Sequence, residues 1–121
     1  MNKKVENNVF ISLTALSIIV AIYHFVGIFY KINDSSVWRH ILFIVICIVC
    51  VYGLSKRPFW FIFFFFLLVL QQLYSHGSYL VWFWQNEHRI HWISATVVIA
   101  MPIIFTLLLL NRQGTNIKKI N

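Results

Sequence analysis

Apolar residues occur along this chain in four long runs that short polar stretches separate. The runs cover about residues 9–30, 37–54, 59–84 and 92–110. A helix needs about 20 predominantly apolar residues to cross a hydrocarbon core of about 30 Å. The pattern therefore predicts four transmembrane helices joined by short loops, with residues 1–8 and 111–121 as tails.

The polar stretches carry the residues that end one helix and begin the next. Ser35 and Ser36 are good N-cap residues for the second helix. Pro58 stands where the first turn of a helix tolerates proline, directly before the third run. The third run is longer than the hydrocarbon core requires, so we expect its helix to tilt, to kink near Gly77, or to lie partly in the membrane interface.

The composition excludes a soluble domain. Hydrophobic residues make up 60% of the 121 residues and charged residues only 11%, whereas a soluble domain carries about a quarter charged residues. The predicted fold class is therefore an all-α integral membrane protein, and residues 1–121 form a single transmembrane domain folded as a four-helix bundle.

The basic residues predict how the chain is oriented. Four crossings bring both termini to one side, and the rule that positive charge stays on the cytoplasmic side makes that side cytoplasmic. The outer side then holds Lys31, Arg39 and Arg89. The inner side holds seven cations: Lys3, Lys4, Lys56, Arg57, Arg112, Lys118 and Lys119.

The predicted location follows from this topology and from residue usage. The bias toward Ile, Phe, Asn and Lys indicates an AT-rich bacterial genome, so we predict a bacterial inner membrane with both termini cytoplasmic. The net charge of +7 is a topological signal. Because no basic stripe with interleaved aromatic residues lies on a soluble face, nucleic-acid binding is rejected.

Histidines provide the candidate chemistry. His24 and His76 each lie six residues from the outer end of their helix. At 1.5 Å per residue, this places them about 9 Å inside that end. Polar groups at membrane depth are costly and mark sites or interhelical hydrogen bonds. A haem, a transition metal or a quinone-like ligand could bind there. The site hypothesis comprises His24, His76, Gln72, Tyr79 and Ser17.

A separate metal hypothesis concerns the outer loops. His88 and His91 are three residues apart, a spacing that places two side chains on one face of a helix, where they could share a metal ion. Because zinc sites use three or four ligands, further residues must complete the set. The candidates are His40, His88, His91, Glu87 and Asp34, all placed near the water boundary, where a purely structural role for each histidine is the alternative.

The remaining residues exclude most catalytic schemes. The chain has no paired intramembrane carboxylates and no glycine-rich phosphate loop, and Cys47 and Cys50 lie in mid-helix, where we interpret them as packing residues. We therefore favour a non-enzymatic accessory or interaction subunit of a larger membrane complex, in contact with lipid and with other membrane subunits or copies of itself. The alternative is the outer-leaflet histidine site acting in redox or ion handling, and a third possibility is a small-solute transporter.

Overall fold

The computed structural model describes residues 2–31 and 34–111. That part of the chain is all-helical and has no strands. It contains four helices: α1 (Lys3–Phe29), α2 (Val37–Lys56), α3 (Phe59–Glu87) and α4 (Trp92–Leu110). All four are long and apolar enough to cross a membrane. Two compact units divide between Arg57 and Pro58, and each consists of one helix pair.

The helix bounds differ from the predicted runs mainly at α1. This helix begins at Lys3, six residues before the apolar run, because the side chain of Asn2 accepts a hydrogen bond from the backbone N–H of Lys4 and caps the first turn. Helix α3 continues without a break through Gly77 to Glu87, and α4 has the predicted bounds. The predicted tail at 111–121 lies, beyond Asn111, outside the described residues.

The first unit is an antiparallel hairpin of α1 and α2, called here the first hairpin. At its open end, Glu6 near the start of α1 accepts a hydrogen bond from Arg57, which follows the last turn of α2. The guanidinium of Arg57 also lies 4.7 Å from the centroid of the Phe10 ring. An ion pair and a cation–π contact therefore hold this end of the hairpin together.

The second unit, the second hairpin, pairs α3 with α4. Phe65 and Phe66 of α3 lie beside Phe105 of α4, with ring centroids 6.5 and 5.6 Å apart. These contacts join the early part of α3 to the late part of α4, so the two helices run antiparallel. Leu108 is fully buried in the same part of α4.

Candidate functional site

The first group of interest is the histidine pair, His24 of α1 and His40 of α2. Their Nδ1 atoms lie 2.9 Å apart, within hydrogen-bonding distance. A neutral imidazole has one N–H donor and one acceptor nitrogen, so one ring donates from Nδ1 and the other accepts there. The bond joins the late part of α1 to the first turn of α2.

A glycine lets the two helices approach closely at this pair. The His40 ring lies against Gly27, where an added Cβ would be only 2.6 Å from Cε1 of His40. Phe43 stacks on the His24 ring at a centroid distance of 5.0 Å and an interplanar angle of 11°. His40 is 2% exposed. The close approach of α1 therefore buries the ring, although His40 stands in the first turn of α2. Its position near the water boundary stays a prediction.

The second group is the Ser94 cluster, which consists of His76, Ser94 and His91. The Ser94 hydroxyl oxygen lies 3.0 Å from Nδ1 of His76 and 2.9 Å from Nδ1 of His91. Ser94 is completely buried. One hydroxyl group therefore connects an imidazole of α3 with an imidazole at the start of α4.

Helix capping explains why His91 faces Ser94. His91 is the N-cap residue of α4, and its Nδ1 accepts a hydrogen bond from the backbone N–H of Ser94 at 3.3 Å. The first N–H groups of a helix have no partner within the helix, so a side-chain acceptor at this position stabilises the helix start. The same geometry brings the Ser94 hydroxyl to the His91 ring.

Aromatic rings and a surface hollow surround His91. Tyr79 meets the ring edge-on at a centroid distance of 4.9 Å, and Phe83 lies at the same distance. At the turn between α3 and α4 there is an open hollow with a volume of about 770 Å³, and its walls include His88, Arg89 and His91. The His91 end of the cluster therefore borders a space large enough for many water molecules.

The other members of the site hypothesis have local partners. Gln72 donates to the side-chain oxygen of Gln71, and the Ser17 hydroxyl donates to the backbone carbonyl of Leu13. Tyr79 packs against His91 in the second hairpin. His24 has a hydrogen-bonded partner in the first hairpin and His76 has one in the second. A ligand shared by these two histidines stays a prediction.

The metal hypothesis receives no support from the residues that the structure describes. Within 2–31 and 34–111, no group of three or more His, Cys, Asp or Glu side chains could hold a metal ion. Asp34 lies 3.6 Å from the ammonium of Lys31, and Glu87 pairs with Arg89. His88 ends α3 in a left-handed backbone conformation with a φ of 51°. Coordination by these residues stays a prediction.

The site hypothesis missed two important residues, Gly27 and Ser94. Gly27 stands three residues after His24 and six after Ala21, so the three residues share one helix face, and small residues on one face indicate a close approach of another helix. Ser94 stands three residues after His91, the spacing of a capping residue and the N–H that it caps. Both signals need knowledge of the neighbouring helix before they indicate a contact.

Comparison of the chain with known protein families, with curated proteins and with solved structures found no match in any of the three.

Proposed function

We propose that this chain is a non-enzymatic accessory subunit of a larger membrane complex. The observation that carries the proposal is the use of the histidines. His24 pairs with His40, and His76 and His91 both pair with Ser94, so in each hairpin imidazole groups link the two helices by hydrogen bonds. Such bonds stabilise helix pairs in membranes by about 0.6 kcal/mol on average.

A stripe of large, exposed side chains on α3 supports a partner that is itself a membrane protein. Its residues recur at spacings of four, four, three and four, so they share one face of the helix. Each is 48% to 80% exposed: Phe59, Phe63, Leu67, Leu70 and Tyr74. Membrane helices associate partly through van der Waals packing of the side chains on their facing surfaces. We infer that a transmembrane helix of a partner protein packs against this stripe.

The experiment combines purification with site-specific photo-crosslinking. A photoreactive phenylalanine analogue at Phe63 or Leu67 is expected to crosslink to one defined membrane protein, which also co-purifies with the chain at constant stoichiometry in mild detergent. The matched control position is Ile99 of α4, which is 64% exposed and lies outside the stripe. We expect no defined crosslink from Ile99.

The same preparation tests the alternative function. An absorption spectrum and a metal assay are recorded on the purified protein. A Soret band, or stoichiometric copper, zinc or iron, would overturn the accessory role in favour of a haem or metal site. A chain that purifies alone and crosslinks only to lipid from Phe63 would also refute the proposal.

A further inference from the structure

We propose that the Ser94 cluster is a proton relay, in which the Ser94 hydroxyl passes protons between the imidazoles of His76 and His91. The relay connects the hollow at the α3–α4 turn with the start of the apolar span of α4. It does not depend on the accessory role, because it uses only residues of the second hairpin.

The positions of the hydrogen atoms follow from the helix cap. Nδ1 of His91 accepts the backbone N–H of Ser94, so this nitrogen carries a lone pair and no proton. The lone pair of this nitrogen then faces two donors, and we assign the shorter contact, at 2.9 Å, to the hydrogen of the Ser94 hydroxyl. The Ser94 oxygen accepts in turn the Nδ1–H of His76 at 3.0 Å. The two hydrogen bonds of the Ser94 cluster are therefore donated in the same direction, from His76 to Ser94 and from Ser94 to His91.

This order allows a balanced proton transfer. When hydronium protonates Nε2 of His76, the ring becomes an imidazolium. The N–H bond at Nδ1 of His76 then breaks as its proton binds the Ser94 oxygen. The original Ser94 hydroxyl proton moves to Nδ1 of His91, and His91 releases its Nε2 proton to water. One proton has moved from His76 to His91, Ser94 is again a neutral hydroxyl, and the reverse sequence returns a proton.

Burial makes the serine an obligatory part of the path. Ser94 has no exposed surface, so water does not reach the oxygen between the two rings. His91 is half-buried and lines the hollow at the turn, which gives its outer nitrogen a source of water. A proton that moves between the two Nδ1 atoms must therefore pass through the hydroxyl group.

The relay bridges the boundary of the apolar span. Ser94 is the third residue of α4, a helix of 19 residues and thus about 29 Å long, which matches a hydrocarbon core of about 30 Å. His76 contacts Ser94, so it lies level with the first turn of that span. It is eleven residues before the end of α3 at Glu87, about 17 Å along the helix axis.

Few other charged groups face the relay from the second hairpin. Tyr79 of α3 contacts His91 directly. Beyond it, the turn contributes His88, Arg89 and Glu87, of which the last two form an ion pair with each other. The sequence of α4 contains no ionisable residue. The two imidazoles contact the Ser94 hydroxyl directly, and a neutral imidazole offers both a proton donor and a proton acceptor.

Nitrogen-15 NMR of the full chain, labelled at its histidine rings and held in lipid nanodiscs, tests the relay. In neutral protein, we expect His91 to carry its proton on Nε2 and His76 to carry its proton on Nδ1. The second expectation is informative because a histidine that only fills space makes no hydrogen bond that requires a proton on Nδ1. Exchange of the Nδ1 proton of His76 with deuterated water is then measured in variants of Ser94.

Removing the hydroxyl is expected to slow exchange at His76. Positioned acid–base groups accelerate reactions about 10²–10⁴-fold, so Ser94→Ala is expected to slow exchange of the His76 Nδ1 proton about a hundredfold or more. Ser94→Thr retains a hydroxyl and should stay within about twofold of the native rate. Thr96→Ala is the matched control, since the Thr96 hydroxyl bonds only to the carbonyl of Trp92 one turn away. Exchange at His24 serves as an internal reference.

Three results would overturn the relay. The first is a proton on Nδ1 of neutral His91 or on Nε2 of neutral His76. The second is unchanged His76 exchange in Ser94→Ala. The third is a Ser94→Thr variant that exchanges as slowly as the alanine variant. If Ser94→Ala does not fold, the two tautomers and the threonine variant decide the question.

Discussion

Replacing Gly27 with alanine perturbs the closest approach between α1 and α2. The new Cβ would lie 2.6 Å from Cε1 of His40, 2.9 Å from its Nδ1 and 3.0 Å from its Nε2. Because His40 is only 2% exposed, its ring has no open space into which it can move. We expect the ring to shift, alone or together with α2, and the hydrogen bond to His24 to break.

The expected destabilisation is the sum of three contributions. Forcing a methyl group into a packed contact costs about 1–3 kcal/mol. Loss of the interhelical hydrogen bond adds about 0.6 kcal/mol, with an upper value of about 1.7 kcal/mol. The greater helix propensity of alanine offsets about 0.5–1 kcal/mol. We therefore expect Gly27→Ala to lower the free energy of unfolding by about 1–3 kcal/mol.

The measurement is unfolding in mixed detergent micelles with increasing SDS, followed by far-ultraviolet circular dichroism. Gly77→Ala is the matched control, because a Cβ at Gly77 meets no atom within 4 Å and the residue is also inside a helix. A double-mutant cycle adds His40→Ala, which removes the ring. In that background, Gly27→Ala should cost much less than in the native chain.

Two outcomes would refute the reasoning. If Gly27→Ala unfolds at the same SDS fraction as Gly77→Ala, the contact with His40 does not limit the approach of the helices. If the two substitutions in the cycle are additive, the cost of the methyl group arises elsewhere than at the His40 ring.

Two further predictions concern the ends of the hairpins. Glu6→Gln removes the charge from the ion pair at the open end of the first hairpin, where both side chains are mostly buried, and should cost about 1–3 kcal/mol in the same assay. Glu87 forms an ion pair with an exposed arginine, so Glu87→Gln should change the free energy of unfolding by no more than about 0.5 kcal/mol. If Glu6→Gln and Glu87→Gln have equal effects, the ion pair of Glu6 does not hold the end of the first hairpin. In a chain without the native cysteines, Ser35→Cys and His88→Cys should react with an impermeant maleimide from outside the cell, whereas Lys4→Cys should react only after lysis. The reverse pattern would invert the proposed topology.

The helices were largely predictable from the sequence because their determinants are local. A run of about 20 apolar residues is long enough to cross a hydrocarbon core of about 30 Å, and the predicted bounds of the fourth helix, 92–110, are those of α4. The start of α1 was missed because hydropathy reports only the apolar part of a helix. Capping by Asn2 extends α1 through polar residues that need not lie in lipid.

The candidate site was predictable only in part. Counting residues from the helix ends placed His24 and His76 at similar depths, but depth does not identify a lateral neighbour. In the structure, each contacts the first turn of the next helix, through His40 in one hairpin and Ser94 in the other. The result depends on the register between the helices, which apolar patterning does not specify because these helices are apolar on nearly every face.

The sequence by itself therefore determined the number, the type and the approximate length of the helices, and it singled out histidine as the candidate chemistry. Only the tertiary structure decided which groups the imidazoles meet. The physical reason is the range of the interactions: lipid solvation acts on each segment separately, whereas a hydrogen bond between helices requires two distant residues to lie within about 3 Å. That proximity depends on Gly27 in the first hairpin and on the cap of α4 in the second.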